Sequence, residues 1–215
     1  MRLFLSSQEL GDYPEVAVSM SHGKMKLAYS KNSQDNLSPE QRNFSTKERK
    51  AKFEALGFEF EELDLREYFG KKEELRKKMK EFGSVFCAGG NTFILRRAMK
   101  ASGFDEIIVD MLENDEILYG GWSAGACITA HSLKELARGD LPGPKIVSKD
   151  YPIKETIWNG LGLVDFFIVP HCNMDWFKKD AEVIIRNLKK SGQKYYALDD
   201  GQVVVIEGSK TEVLK

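Results

Sequence analysis

GGWSAGA, residues 120–126, follows the short run EILY (116–119) and contains the pattern G-x-S-x-G around Ser123. An apolar run that ends in this pattern predicts a strand that turns sharply into a helix, with Ser123 on the turn. Glycines at 121 and 125 keep side chains out of the turn, and the N–H of Ala124 faces the place where an oxyanion would form. A small-residue turn that only packs a helix on a sheet would show the same pattern, so both interpretations stay open on these residues alone.

Apolar strand-like runs alternate with helix-like segments on both sides of this turn. Strands are predicted over 1–6, 14–20, 24–30, 58–65, 84–90, 164–171, 194–200, 202–208 and 211–215. Helices are predicted over 44–56, 71–83, 91–103, 104–112, 175–192 and after Ser123, and residues 139–163 are expected to form a long surface loop. The helix over 44–56 is expected to begin with a capping box of Ser45 and Glu48 and to stop at Gly57. This order predicts one α/β domain over residues 1–215, with a mostly parallel sheet covered by helices on both faces.

Composition narrows the functional class. The chain has 215 residues, 42% hydrophobic and 30% charged, with a net charge of -1. This balance predicts neither a nucleic-acid partner nor a membrane partner, and no apolar run has the length of a membrane span. The first residues lack the apolar core of a signal peptide, and three widely spaced cysteines predict reduced thiols in a cytoplasmic protein. We expect no metal and no cofactor.

Residues at the ends of three predicted strands could form a site together with Ser123, because sites form at the carboxyl ends of parallel strands. In AGGN (88–91), the glycine pair leading into a helix could present the N–H of Gly89 or Gly90 to an oxyanion. The alternative is a tight turn with Asn91 as the N-cap. The patterns of phosphate-binding loops are absent from this stretch.

A general base has three candidates, because the chain has three histidines. His22 lies in a polar stretch and is expected to be exposed. His131 is expected on the helix after Ser123, too far along it to take a proton from that serine. His171, at the end of the predicted strand 164–171, is the remaining candidate.

A carboxylate that orients His171 has several candidates. Asp199 and Asp200 lie at the end of 194–200, where Asp-Gly at 200–201 could also form a hairpin turn without excluding an orienting role. Asp140 and Asp165 are rivals. The reaction implied is acyl transfer. Cys127, about one helical turn after Ser123, is expected to be a core thiol.

AGGNTFIL (88–95), GWSAGA (121–126), Pro-His (170–171) and LDDG (198–201) together resemble peptidase family S51, which contains aspartyl dipeptidase (peptidase E) and cyanophycinase. The resemblance covers the chain from about residue 45 onward. It implies a flavodoxin-like fold, close to class I glutamine amidotransferases. It also implies Ser123 as nucleophile, His171 as base, Gly90 and Ala124 at the oxyanion hole, and Asp200 or, alternatively, Asp140 as the acid.

The chain departs from aspartyl dipeptidase after the histidine. The segment there is short, and no arginine aligns with the one that pairs with the substrate's aspartate; Lys178 or Lys179 could replace it only without a bidentate fork. Substrate-binding candidates are Asn91, Trp122, Asn173 and Asp175.

The main hypothesis is a serine peptidase of the dipeptidase type, acting on a small peptide substrate as a monomer or homodimer. An α/β-hydrolase esterase and a non-catalytic small-molecule-binding protein on the same scaffold stay open.

Overall fold

The computed structural model describes residues 1–137 and 143–215, apart from the side chain of Ser45. Within these ranges the chain forms nine strands and seven α-helices. The strands are β1 Arg2–Ser6, β2 Lys26–Ser30, β3 Glu59–Glu62, β4 Ser84–Cys87, β5 Leu118–Trp122, β6 Phe167–Val169, β7 Tyr195–Ala197, β8 Val203–Glu207 and β9 Lys210–Leu214. The helices are α1 Pro14–Met20, α2 Pro39–Ala55, α3 Lys72–Met79, α4 Thr92–Ser102, α5 Phe104–Glu113, α6 Ala124–Cys127 and α7 Asp175–Lys190.

In the described part of the chain, seven strands form one sheet in the order β3-β2-β4-β5-β1-β8-β9. The first five of these are parallel, whereas β8 runs antiparallel to β1 and β9 antiparallel to β8. A separate parallel pair joins β6 to β7. The predicted flavodoxin-like, mostly parallel α/β fold is confirmed.

The inner strands of the sheet, such as β1, β4 and β5, are buried on both faces, which their apolar character requires. In β1, Leu3 and Leu5 belong to one core cluster, and Phe4 belongs to a second cluster. In β2, Ala28 belongs to the first cluster, whereas Leu27 and Tyr29 belong to the second. Adjacent side chains of a strand point to opposite faces, so a sheet with helices on both sides buries all of them.

The prediction of a strand over residues 14–20 was wrong, because Pro14–Met20 is the helix α1. Pro14 occupies the first turn, where a missing backbone N–H costs no hydrogen bond. Ala17 and Met20, one helical turn apart, are buried.

The second helix begins earlier than predicted, at Pro39 instead of Phe44. Ser38 and Gln41 form the capping box that the sequence analysis placed at Ser45 and Glu48. The helix after Ser123 is shorter than predicted. It ends at Cys127, so His131 lies beyond it, where its ring contacts Phe167 edge-on.

Residues 139–163 were predicted to form a surface loop, and the described part, 143–163, forms no α-helix or strand and is mostly at least partly exposed. Pro144 and Tyr151 are buried. Fully buried Arg97 of α4 donates hydrogen bonds to the carbonyl oxygens of Pro144 at 2.8 Å and Glu155 at 2.9 Å, and also to that of Ile146. One charged side chain therefore holds both Pro144 and the stretch around Glu155 against α4.

None of the helices in the described ranges is long and apolar enough to cross a membrane.

Candidate active site

The site lies where three parallel strands end together. Cys87 at the end of β4 is in register with Gly121, and Trp122 at the end of β5 is in register with Ser6 at the end of β1. The residues that follow each strand therefore meet at one edge of the sheet.

Ser123 occupies a strained turn between β5 and α6. Its φ of 49° and ψ of -111° are unusual for a residue with a side chain. A Cβ at Gly121 would lie 2.4 Å from the carbonyl oxygen of Gly125, and one at Gly125 would lie 2.1 Å from that of Cys87. Only glycine fits these two positions, which explains the G-x-S-x-G spacing in steric terms.

The Gly89–Gly90 peptide lies against this turn. A Cβ at Gly89 would come within 3.2 Å of the Ser123 Cβ. Gly90 has a φ of 146°, and a Cβ there would meet the backbone oxygen of Ser33 at 2.6 Å. A side chain at either glycine would therefore be strained or would crowd its neighbours.

The orientation of this peptide is fixed from behind. The Gly89 carbonyl accepts hydrogen bonds from Ser33 Oγ at 2.8 Å and from Gln34 Nε2 at 2.9 Å. In a trans peptide the N–H points away from the C=O, so the Gly90 N–H is directed away from Ser33 and Gln34. Gly90 borders the same cavity as Ser123 and Ala124, the residue that begins α6.

His171 and Asp200 form a direct pair. Nδ1 of His171 lies 2.7 Å from Oδ1 of Asp200. A carboxylate only accepts hydrogen bonds, so Nδ1 donates and Nε2 is left as the ring nitrogen that can accept a proton. The His171 side chain is buried and its backbone has a φ of 59°, a left-handed conformation outside glycine.

Two neighbouring serines connect this pair to the nucleophile turn. The Ser6 carbonyl accepts a hydrogen bond from the Ser123 N–H at 3.2 Å. Ser7 Oγ accepts one from the His171 N–H and donates one to Asp200 Oδ1, each at 2.7 Å. The end of β1 thus contacts both the backbone of Ser123 and the His171–Asp200 pair.

Asp200 lies in a turn but not in a hairpin. The Gln202 N–H bonds to the Asp199 carbonyl at 3.0 Å, yet β7 before the turn pairs with β6, and β8 after it pairs with β1. The turn therefore crosses between two sheets. Asp165, a rival acid, is 73% exposed and pairs with Lys194 at 2.5 Å. Asp140, the other rival, lies outside the described residues.

The four substrate-binding candidates occupy different surroundings. Asn91 caps α4 and donates to the Gly143 carbonyl at 3.0 Å. Trp122 is buried and stacks on Tyr29. Asn173 accepts a hydrogen bond from the Asp200 N–H at 2.9 Å. Asp175 is exposed at the start of α7.

Aromatic rings cover the base. Trp176, 64% exposed, lies against the His171 ring with centroids 4.9 Å apart, and Phe177 contacts the same ring edge-on at 5.7 Å. These contacts hold the imidazole plane in one orientation on the solvent side.

The cysteines are poor nucleophiles by environment. Burial raises the pKa of Cys87 and that of Cys127 to about 12. Burial also raises the pKa of Cys172, which is half-buried beside His171. Among the described residues, no group of three or more His, Cys, Asp or Glu side chains could hold a metal ion.

Sequence reasoning did not find Ser7, Ser33, Gln34 or Arg97. The sequence gives a weak indication of the first three, since all are polar residues just after apolar strands. Their partners are distant in sequence, 164 residues away for the Ser7–His171 contact, so no local pattern specifies them.

The model of peptidase family S51 matches residues 37–214. The uncharacterized peptidase Lmo0363 of Listeria monocytogenes is 30% identical over 162 residues, which is 75% of this chain and 73% of that protein. The uncharacterized peptidase PM1590 of Pasteurella multocida is 25% identical over 142 residues, 66% of this chain and 64% of that protein.

Solved structures share the fold. The crystal structure of a candidate peptidase E protein from Listeria monocytogenes superposes with a TM-score of 0.78 at 24% identity, covering 100% of this chain and 98% of that one. A peptidase from an acI-B1 Actinobacterium has a TM-score of 0.72 at 16% identity, covering 99% of this chain and 86% of that one. The family model spans most of the chain, including the ends of β4 and β5, so the protein belongs to peptidase family S51.

Proposed function

We propose that this peptidase is a serine hydrolase that cleaves small peptides as a dipeptidase or exopeptidase. Ser123 is the nucleophile, His171 the general base and Asp200 the carboxylate that orients the base. The observation that carries the proposal is the 2.7 Å bond between His171 and Asp200, at the sheet edge where Ser123 occupies its strained turn.

The chemistry follows the roles that these groups take in acyl transfer. Ser123 Oγ attacks the peptide carbonyl carbon while His171 Nε2 takes the hydroxyl proton. The N–H groups of Gly90 and Ala124 stabilise the oxyanion of the tetrahedral intermediate. Collapse breaks the C–N bond, and His171 gives its proton to the leaving amine. A water molecule, deprotonated by His171, then hydrolyses the acyl-enzyme.

The size of the cavity supports a small substrate. The cavity beside Ser123 has a volume of about 330 Å³, at the lower end of the range for small-molecule sites. Gly143 and Pro144 form part of its wall, and Arg97 holds the Pro144 carbonyl. A wall anchored this way favours a dipeptide or a short peptide end over a long extended chain.

A fluorophosphonate probe and a dipeptide mixture test the proposal together. We expect wild type to bind the probe covalently at Ser123 and to consume a subset of dipeptides, as followed by mass spectrometry. Ser123→Ala abolishes both. Asp200→Asn retains the fold but lowers kcat by about 10⁴-fold, because the imidazole loses its orientation.

Thiol alkylation provides the control for a cysteine mechanism. It is done on Cys172→Ser, since a bulky group on Cys172 would crowd His171. At pH 8, about one in 10⁴ of the buried thiols with a pKa near 12 is ionised, so iodoacetamide leaves activity intact. Rapid inactivation by iodoacetamide without probe labelling at Ser123 would refute the serine mechanism.

A further inference from the structure

We propose that the cavity beside Ser123 binds an uncharged, apolar side chain of the residue on the acyl side of the cleaved bond. This inference rests on the proposed function and names its substrate class: dipeptides that begin with an aliphatic or aromatic residue. An acidic first residue is disfavoured.

Most of the cavity wall is apolar, although Asn91, Thr92 and Ser123 also border it. Phe93 comes from α4, Cys127 from α6, Phe177 and Ile184 from α7, and Leu136 from the segment before the undescribed residues. The Cys127 thiol donates to the Ile168 carbonyl at 3.4 Å, so its proton is already used within the protein. These walls offer dispersion contacts and hydrophobic burial to a ligand side chain.

No charged side chain borders the cavity within residues 1–137 and 143–215. Three basic residues of α7 are exposed and do not border the cavity: Lys178, Lys179 and Arg186. A substrate carboxylate placed there would lose its hydration without gaining a cation from the described residues, which is strongly unfavourable.

The position of the cavity assigns it to the acyl side. It borders Ser123, Gly90 and Ala124, which would hold the acyl carbon and its oxygen. Among the described lining residues the His171 ring, which protonates the leaving amine, is absent. The part of the substrate that stays bonded to Ser123 therefore faces these walls.

Three substrates of similar shape test the charge argument: Leu-Ala, Asn-Ala and Asp-Ala. Leucine, asparagine and aspartate all branch at Cγ, so they differ mainly in polarity and charge. We expect kcat/KM for Leu-Ala to exceed that for Asp-Ala at least about 100-fold, with Asn-Ala between them.

Two matched variants test the walls. Ile184 and Leu188 are both buried on α7 in the same apolar cluster, but only Ile184 borders the cavity. Ile184→Ala widens the pocket and raises the ratio of kcat/KM for Phe-Ala over Leu-Ala about ten-fold. Leu188→Ala lowers both values by the same factor, because a loss of folded enzyme cancels in the ratio.

The outcomes separate the inference from the proposed function. A preference for Asp-Ala would overturn the inference. So would an equal ratio of kcat/KM for Phe-Ala over Leu-Ala in the two variants. Either result would leave the proposed serine hydrolase standing. A preference for Asp-Ala would also direct attention to Arg138, outside the described residues. Probe labelling of Ser123 without turnover of any of these dipeptides would overturn the inference alone. Absence of both labelling and turnover would overturn the proposed function and the inference with it.

Discussion

At the scale of single residues, the Gly89–Gly90 peptide shows how a backbone group is aimed. Gly90 can adopt its φ of 146° because it lacks a side chain, but that freedom would also let the peptide rotate. The hydrogen bonds that Ser33 and Gln34 donate to the Gly89 carbonyl remove this freedom. Ser33 shares its hydroxyl proton between this carbonyl and that of Ala88, so Gln34 supplies a second donor to the Gly89 carbonyl.

Gln34→Ala is expected to lower kcat about ten-fold with little change in KM. The Gly90 N–H would be less well aimed at the oxyanion, and that interaction strengthens mainly in the transition state. Steady-state kinetics on a cleaved dipeptide measure the effect. Gln41→Ala is the matched control, because its side chain bonds only to the start of α2. An unchanged kcat in Gln34→Ala would show that Ser33 alone fixes the peptide.

Some of these residues could be predicted from the sequence and others could not. Ser123 is marked by two glycines at fixed spacing, and His171 is what remains when the other histidines are set aside. Asp200 comes from a family resemblance, since its local context equally predicts a hairpin. Ser7 and Gln34 act through contacts between distant segments, which periodicity and spacing do not encode.

At the scale of secondary-structure elements, the segment after residue 142 depends on one helix. Arg97 on α4 makes no ion pair with a carboxylate in the described ranges; its hydrogen bonds go to carbonyl oxygens and to Thr156 Oγ1. Burial lowers its pKa. The hydrogen bonds to many acceptors offset the cost of desolvating the guanidinium. They also hold the segment as a wall of the cavity.

Arg97→Met is expected to lower the free energy of unfolding by about 3 kcal/mol, because several carbonyl groups would lose their donor. Limited proteolysis should then cut within 143–156 before the rest of the chain. Urea denaturation and mass mapping of the first fragments measure both effects. Arg76→Met, which breaks the exposed pair with Asp110 on the surface, should cost less than about 1 kcal/mol. Equal losses in the two variants would contradict the anchoring role.

Elements were predicted well where their pattern was long and poorly where it was short. The alternation in PEVAVSM suggested a strand, but Pro14 and the spacing of Ala17 and Met20 produce a helix. At α2, Ser45 was predicted as the cap, but Ser38 occupies that position. Ser38 became the cap because Gln41 completes its box and Pro39 begins the first turn.

At the scale of the whole molecule, resistance to acid depends on carboxylates whose ionised form is hydrogen-bonded in the folded state. Burial opposes ionisation of Asp64, yet hydrogen bonds from Arg66 and Asn32 outweigh it and lower its pKa to about 2. The pKa in the unfolded chain is near 3.8. The resulting stabilisation is complete above about pH 4 and is lost as the pH falls toward 2.

Asp64→Asn should therefore reduce the free energy of unfolding by about 1–2 kcal/mol at pH 6, after allowance for the partly exposed site, and by much less near pH 2.5. Urea titrations at both pH values measure the difference. Glu67→Gln, which removes an exposed carboxylate on the same turn, is the matched control variant. A constant deficit for Asp64→Asn at both pH values would rule out this linkage.

The pairing of β1 with β8 sets an order of events during synthesis. Arg2–Ser6 emerges from the ribosome first among the strands, yet its antiparallel neighbour, Val203–Glu207, follows only after nearly the whole chain has been translated. Until then Ser7 has no Asp200 to receive its hydroxyl proton. Under the proposed function, a nascent chain therefore lacks the carboxylate that orients His171 until Asp200 has been translated, and we expect it to be inactive before that point.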